Sequence, residues 1–156
     1  MHPLIPILLA FAGLMSFLAL AQDVLPERIE KTLPTQEEID AIVLIPSVEK
    51  GIGYIGGGVG VAERKALEQW ARGYSLRIEM ARKSGEYLGD MLVRVFDDKG
   101  ETVLEARSDG PLMYVQLPTG RYAVEVAPLK PAALEPMIRD VTVVDGKTAR
   151  LFFVWP

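Results

Sequence analysis

The sequence predicts a mainly β fold, a seven-stranded antiparallel β-sandwich with one N-terminal amphipathic helix. Three observations carry that expectation. From Tyr74 to Trp155, apolar and polar residues alternate in short runs. Turn signals cut the runs at Asp98-Lys99-Gly100, Asp109-Gly110, Thr119-Gly120 and Asp145-Gly146. No long helical period lies between them. Strands of this length and spacing each bury one face, and two stacked sheets cover those faces.

The elements follow in order. Leu4 to Leu20 is apolar and uncharged, and Ala19-Leu20-Ala21 sets small residues at the two positions a signal peptidase reads. This is a secretory pattern, with cleavage expected after Ala21, so residues 1–21 read as a signal peptide. The product would be periplasmic or secreted, with no stable membrane insertion after cleavage. The rival reading is a retained anchor, since the run reaches the lower limit of roughly 17 residues for crossing a bilayer. Residues 22–50 are irregular, broken by Pro26, Pro34 and Pro46. Within them Thr35-Gln36-Glu37-Glu38 fits a capping box, which opens a short helix from Gln36 to Leu44. The apolar run Ala41 to Ile45 also reads as a strand.

Residues 51–73 hold a glycine-rich segment and then a helix from Ala62 to Arg72. Ala66, Leu67, Trp70 and Ala71 share its apolar face, and Gly73 is placed to end it. The β-sandwich proper is expected over 74–156. Its strands begin with Tyr74 to Met80 and with Met91 to Phe96, which is apolar on both sides except at Arg94 and so reads as central. Glu101 to Arg107, Leu112 to Leu117 and Arg121 to Ala127 follow, then Ile138 to Val144 and Ala149 to Trp155. In the last strand Leu151, Phe153 and Trp155 share one face.

Composition narrows the chemistry. Hydrophobic residues make up 49% of the 156, enough for the core of one domain. The net charge of -4 speaks against a general nucleic-acid binder, which needs a basic stripe. There is no cysteine, and His2 is the only histidine. A mature chain lacking both can hardly build a transition-metal site or a Ser-His or Cys-His pair. No metal, cofactor or catalytic residue is assigned.

Three groups of residues bear on chemistry. Gly51, Gly53 and Gly56 match G-x-G-x-x-G, but a dinucleotide site needs the glycines directly between a strand and its helix. Here the helix starts only after Gly60, so the reading is an edge or flexible segment. Asp97-Asp98-Lys99-Gly100-Glu101 reads as a solvated turn rather than a calcium loop or a carboxylate pair. Among aromatics, Trp70, Phe152 and Trp155 are assigned to the core, and Tyr54, Tyr87 and Tyr114 are candidate partner-binding residues.

Leu117-Pro118-Thr119-Gly120-Arg121-Tyr122, preceded by Ser108-Asp109-Gly110-Pro111, resembles the carboxypeptidase regulatory-like, or transthyretin-like, domains of small exported bacterial proteins. Gly56 to Gly60 ahead of a charged helix, together with Ser84-Gly85-Glu86-Tyr87-Leu88, is similar to the same group. The resemblance implies an immunoglobulin- or prealbumin-like sandwich, with Tyr122 in a tyrosine-corner arrangement. It implies no peptidase activity and supplies no catalytic residue. The expected function is a non-enzymatic binding or accessory module of the cell envelope, with an envelope protein or glycan as partner. Two alternatives stand beside it: a structural protein that oligomerises through its glycine-rich edge segment, and a hydrolase that uses carboxylates alone.

Overall fold

The computed structural model describes residues 33–130 and 134–156. The expected signal peptide, and the start of the irregular segment that follows it, lie outside the described residues.

The capping box forms as expected. The Glu38 backbone N–H donates to Thr35 Oγ1 at 3.2 Å, and the Thr35 N–H donates to Glu38 Oε2 at 2.7 Å. The helix it opens, α1, is short, Gln36–Asp40, and buries Ile39. It stops well before Leu44, and Ala41 to Ile45 forms neither helix nor strand. The β-branched Ile42, Val43 and Ile45 favour helix poorly, and Pro46 disfavours a helical residue before it.

Among the described residues nine strands follow or flank the second helix, in place of the expected seven. All seven expected strands are present, as β3 (Leu76–Arg82), β4 (Met91–Phe96), β5 (Thr102–Ser108), β6 (Leu112–Gln116), β7 (Gly120–Pro128), β8 (Met137–Val143) and β9 (Ala149–Trp155). The two additions are β1 (Ser47–Glu49) and β2 (Ile52–Gly57), a hairpin built from residues read as irregular and glycine-rich. Its turn sets Lys50 at φ 50° and Gly51 at φ 81°, with Glu49 facing Ile52. Two successive left-handed residues make a tight hairpin turn whose twist matches the strands. Glycine hides the alternation that marks a strand, and so β2 escapes a pattern search. Helix α2, Val61–Trp70, lies between β2 and β3 and is not N-terminal to the sandwich.

The strands form two sheets, ordered β1-β2-β6-β3-β9 and β5-β4-β7-β8. β4 lies between β5 and β7, as its two-sided apolar pattern predicts. The inner faces share one core in which Leu76, Ile78, Met80, Val93, Val124, Phe153 and Trp155 are buried. Residues of both sheets meet there, which makes the fold a sandwich. A second cluster, with Ile55, Leu67, Ala71, Leu112 and Tyr114, lies where α2 packs on the outer face of β2 and β6.

One pairing departs from the antiparallel expectation. β9 runs parallel to β3, with Leu76 beside Ala149 and Arg82 beside Trp155. Parallel neighbours need a long crossover connection. Here the connection runs through β4 and β5 of the other sheet, back through β6 on the far side of β3, and out again through β7 and β8. At the start of β3, buried Ser75 extends the pairing with β6 through its side chain. Its hydroxyl donates to the Leu117 carbonyl at 2.8 Å and accepts from the Leu117 N–H at 2.7 Å.

Two loops require glycine. A Cβ at Gly110 would collide with the backbone of Gly57, and Gly57 itself sits at φ 149° against the Glu63 carboxylate. The end of β2 and the β5–β6 turn therefore touch backbone to backbone.

Candidate partner-binding surface

The three candidate tyrosines are not brought together. Tyr54 turns inward from β2 and packs half-buried against the main core. Tyr114 is 6% exposed, under α2, with its ring edge-on to Tyr74 at 6.4 Å. Its neighbour across the ladder is Ile55, so Tyr54 and Tyr114 lie on opposite faces of one sheet. Burial raises the Tyr114 phenol above its ordinary range, and the nearby Arg77 charge partly opposes that shift. A buried ring offers nothing to a partner, so the expectation for Tyr114 is corrected. Tyr87 keeps 43% of its surface exposed, in the β3–β4 connection. The Arg64 guanidinium already lies over its ring at 4.2 Å, and Arg64 Nη1 donates to its hydroxyl at 3.0 Å.

Two core assignments are also corrected. Trp70 is 60% exposed at the last residue of α2, outside the cluster that Leu67 and Ala71 form with the sheet. Phe152 is 49% exposed and Val154 is 39% exposed, both on β9. Trp155 is buried, and its indole N–H donates to the Glu135 carbonyl at 2.8 Å. The signal for Phe152 was present in the sequence. With Leu151, Phe153 and Trp155 inward, a period of two sends Arg150, Phe152 and Val154 outward.

β9 is also an edge. The Ala149 N–H donates to the Ser75 carbonyl and the Lys83 N–H donates to the Trp155 carbonyl, each at 2.8 Å. A parallel ladder uses alternate residues, so Ala149, Leu151, Phe153 and Trp155 spend their backbone groups on β3. The N–H and C=O groups of Arg150, Phe152 and Val154 therefore point away from β3, on the side where the sheet ends. The other edges are guarded differently. β1 has three residues, β5 exposes Glu105 and Arg107, and β8 exposes Arg139 and Asp140. Short or charged edges resist pairing with other chains, and β9 has only Arg150 for that purpose.

Two depressions complete the surface. One, of about 460 Å³, is lined by Asp97, Asp98, Arg121, Tyr122, Asp140 and Thr142 on the outer face of the four-stranded sheet. Asp97 Oδ1 accepts from the N–H groups of Lys99 and Glu101, both at 2.9 Å, so this acid serves the turn, as the sequence predicts. The second, of about 340 Å³, includes Ser75, whose hydroxyl is committed to Leu117. Among the described residues no group of three or more His, Cys, Asp or Glu is placed to hold a metal. The G-x-G-x-x-G glycines fall on the β1–β2 hairpin and within β2, and Gly57 to Val59 separate them from the N-cap of α2 at Gly60. At the actual N-terminus of α2, the Glu63 carboxylate accepts from the Val59 N–H at 3.2 Å. That negative charge stands where a phosphate would have to sit.

The tyrosine corner expected from the family resemblance is formed. The Tyr122 hydroxyl donates to the Pro118 carbonyl at 2.9 Å, four residues upstream. No family model matches the chain, and no curated protein matches it. Among solved structures it is similar to the Bacillus anthracis TIE protein, at 25% identity and a TM-score of 0.43, over 52% of this chain. The match spans 16% of that protein, and no activity is taken from it.

Proposed function

We propose that the chain is an exported, non-enzymatic binding or accessory module of the bacterial cell envelope. It works in the periplasm or outside the cell, and its partner is an envelope protein. The observation that supports this reading is the outward row of β9, where Phe152 and Val154 stand half in water beside an open strand edge. Adjacent exposed apolar side chains favour contact with another macromolecule, because burying them gains roughly 25 cal/mol for each Å² removed from water. The secretory pattern before Gln22 supports an exported location. The tyrosine corner agrees with a carboxypeptidase regulatory-like domain. A protein is favoured over a glycan because a strand edge offers a row of backbone donors and acceptors that an extended polypeptide matches. The oligomeriser reading loses its basis, because β2, the glycine-rich strand, lies between β1 and β6 and is not an edge.

The test is cross-linking in intact exporting cells, followed by affinity capture and mass spectrometry. The mature N-terminus is expected at Gln22. One envelope protein is expected to be enriched by the wild type and recovered at least tenfold less with Phe152→Asp. Turnover of a defined substrate by the pure protein, or a cytoplasmic location, overturns the reading.

A further inference from the structure

We infer that Asp145-Gly146, in the β8–β9 turn, is a site of spontaneous isoaspartate formation in the folded protein, and that the fold shields the chemically identical Asp109-Gly110. The inference stands apart from the binding-module reading and needs no ligand. Asp-Gly is open to this reaction because glycine has no Cβ to screen its own amide nitrogen. That nitrogen attacks the side-chain carboxyl carbon of the aspartic acid. A C–N bond forms, the carboxyl C–O bond breaks, and the hydroxyl leaves with the amide proton as water. Water then opens the succinimide ring at either carbonyl. Opening at the side-chain carbonyl restores aspartate. Opening at the main-chain carbonyl leaves isoaspartate, with the backbone running through the former side chain. The water released in closing the ring is matched by the water consumed in opening it, so no oxidant or second substrate takes part.

The chain holds this dipeptide twice, and the two copies differ in freedom. Gly110 is buried, with its backbone against that of Gly57, and the Asp109 backbone lies against Gly89, where a Cβ would collide with it. The Ser108 hydroxyl donates to the Gly110 carbonyl at 2.7 Å. Arg107 Nε holds Asp109 Oδ1 at 2.7 Å, which ties the very group that must swing onto the Gly110 nitrogen. Ring closure there requires the loop to open first against all of these contacts. Asp145-Gly146 carries no such restraint. Both residues are exposed, and a Cβ at Gly146 would meet nothing within 4 Å. Among the described residues Asp145 makes no ion pair. The bond across the turn, from the Lys147 N–H to the Val144 carbonyl, is long at 3.4 Å. The product lengthens the main chain just ahead of Thr148 and Ala149. Their bonds to the Tyr74 and Ser75 carbonyls, at 2.7 and 2.8 Å, fasten β9 beside β3. The change therefore falls on the strand that closes the core.

The experiment keeps the pure mature protein in warm neutral buffer over weeks, one portion folded and one in urea. Isoaspartate has the mass of aspartate, so it is read by labelling with a methyltransferase specific for isoaspartyl carboxyls and by electron-transfer fragmentation of the peptides. In the folded portion it is expected to accumulate at Asp145 roughly tenfold or more faster than at Asp109. In urea the two rates should converge, because no native contact then holds either loop. Asp145→Glu should remove the signal from the β8–β9 turn, since the longer side chain closes a less favoured ring. Absence of isoaspartate at Asp145 in the folded protein overturns the inference, as does equal accumulation at Asp109. A difference that persists unchanged in urea overturns it too, because flanking sequence and not the fold would then set the rates.

Discussion

Gly110 and Gly53 look alike in the sequence and behave differently in the fold. A Cβ at Gly110 meets the Gly57 backbone, which cannot step aside, whereas one at Gly53 meets only Gln116 Cβ at an ordinary 3.9 Å. Gly110→Ala is therefore expected to destabilise by about 3 kcal/mol or more, and Gly53→Ala to be neutral or slightly stabilising. Urea denaturation of both variants checks the contrast, and equal midpoints would remove the backbone contact as a cause. Tyr114 makes a pH prediction. Burial raises its folded-state phenol above the ordinary value of about 10, so the folded state holds the proton longer than the unfolded chain. Its contribution is complete below the unfolded value and is lost as pH rises through the folded one. Tyr114→Phe should consequently lose less stability than wild type between pH 9 and the alkaline limit of a denaturation series. A parallel decline would show that the phenol does not titrate on unfolding. Tyr122, also raised by burial and by the charges of Asp97 and Asp98, acts in the same direction.

At the scale of elements, the β strands from Leu76 onward were legible because their apolar residues alternate and their turns carry Asp-Gly or Gly. β2 was not, since Gly53, Gly56 and Gly57 leave no side chain to mark a face. Phe152 is hydrophobic enough for a core position, yet its neighbours Leu151 and Phe153 point inward and the period of two sends it out. The role of β9 as an edge could not be read at all, because strand order depends on contacts between residues far apart in the chain. Helix α2 separates the two kinds of apolar residue in a measurable way. Leu67 is fully buried between α2 and the sheet, and Trp70, one turn later, is mostly in water. Leu67→Ala should cost about 2–5 kcal/mol and Trp70→Gln less than about 0.5 kcal/mol. Thermal melts of the two variants decide this. A large loss from Trp70→Gln would mean that its ring is covered in solution.

For the whole molecule, the decisive contact is β3 with β9. It joins residues some seventy positions apart, and Phe153 and Trp155 fill the middle of the shared core. Removing Ala149–Trp155 strips the ladder from β3 and opens that core to water. The truncated chain is expected to lose cooperative unfolding altogether rather than to melt at a lower temperature. A sharp calorimetric transition in that chain would show that the remaining eight strands close without it.

The same contact sets an order of events during synthesis. Translation makes β3 early, but its parallel mate is encoded at the far end, and until Trp155 clears the ribosome the groove it fills stays vacant. Such a nascent polypeptide stays open until β9 has been added. Closure of the core therefore waits for the last strand of the sandwich, whatever the route by which the protein reaches its place of work.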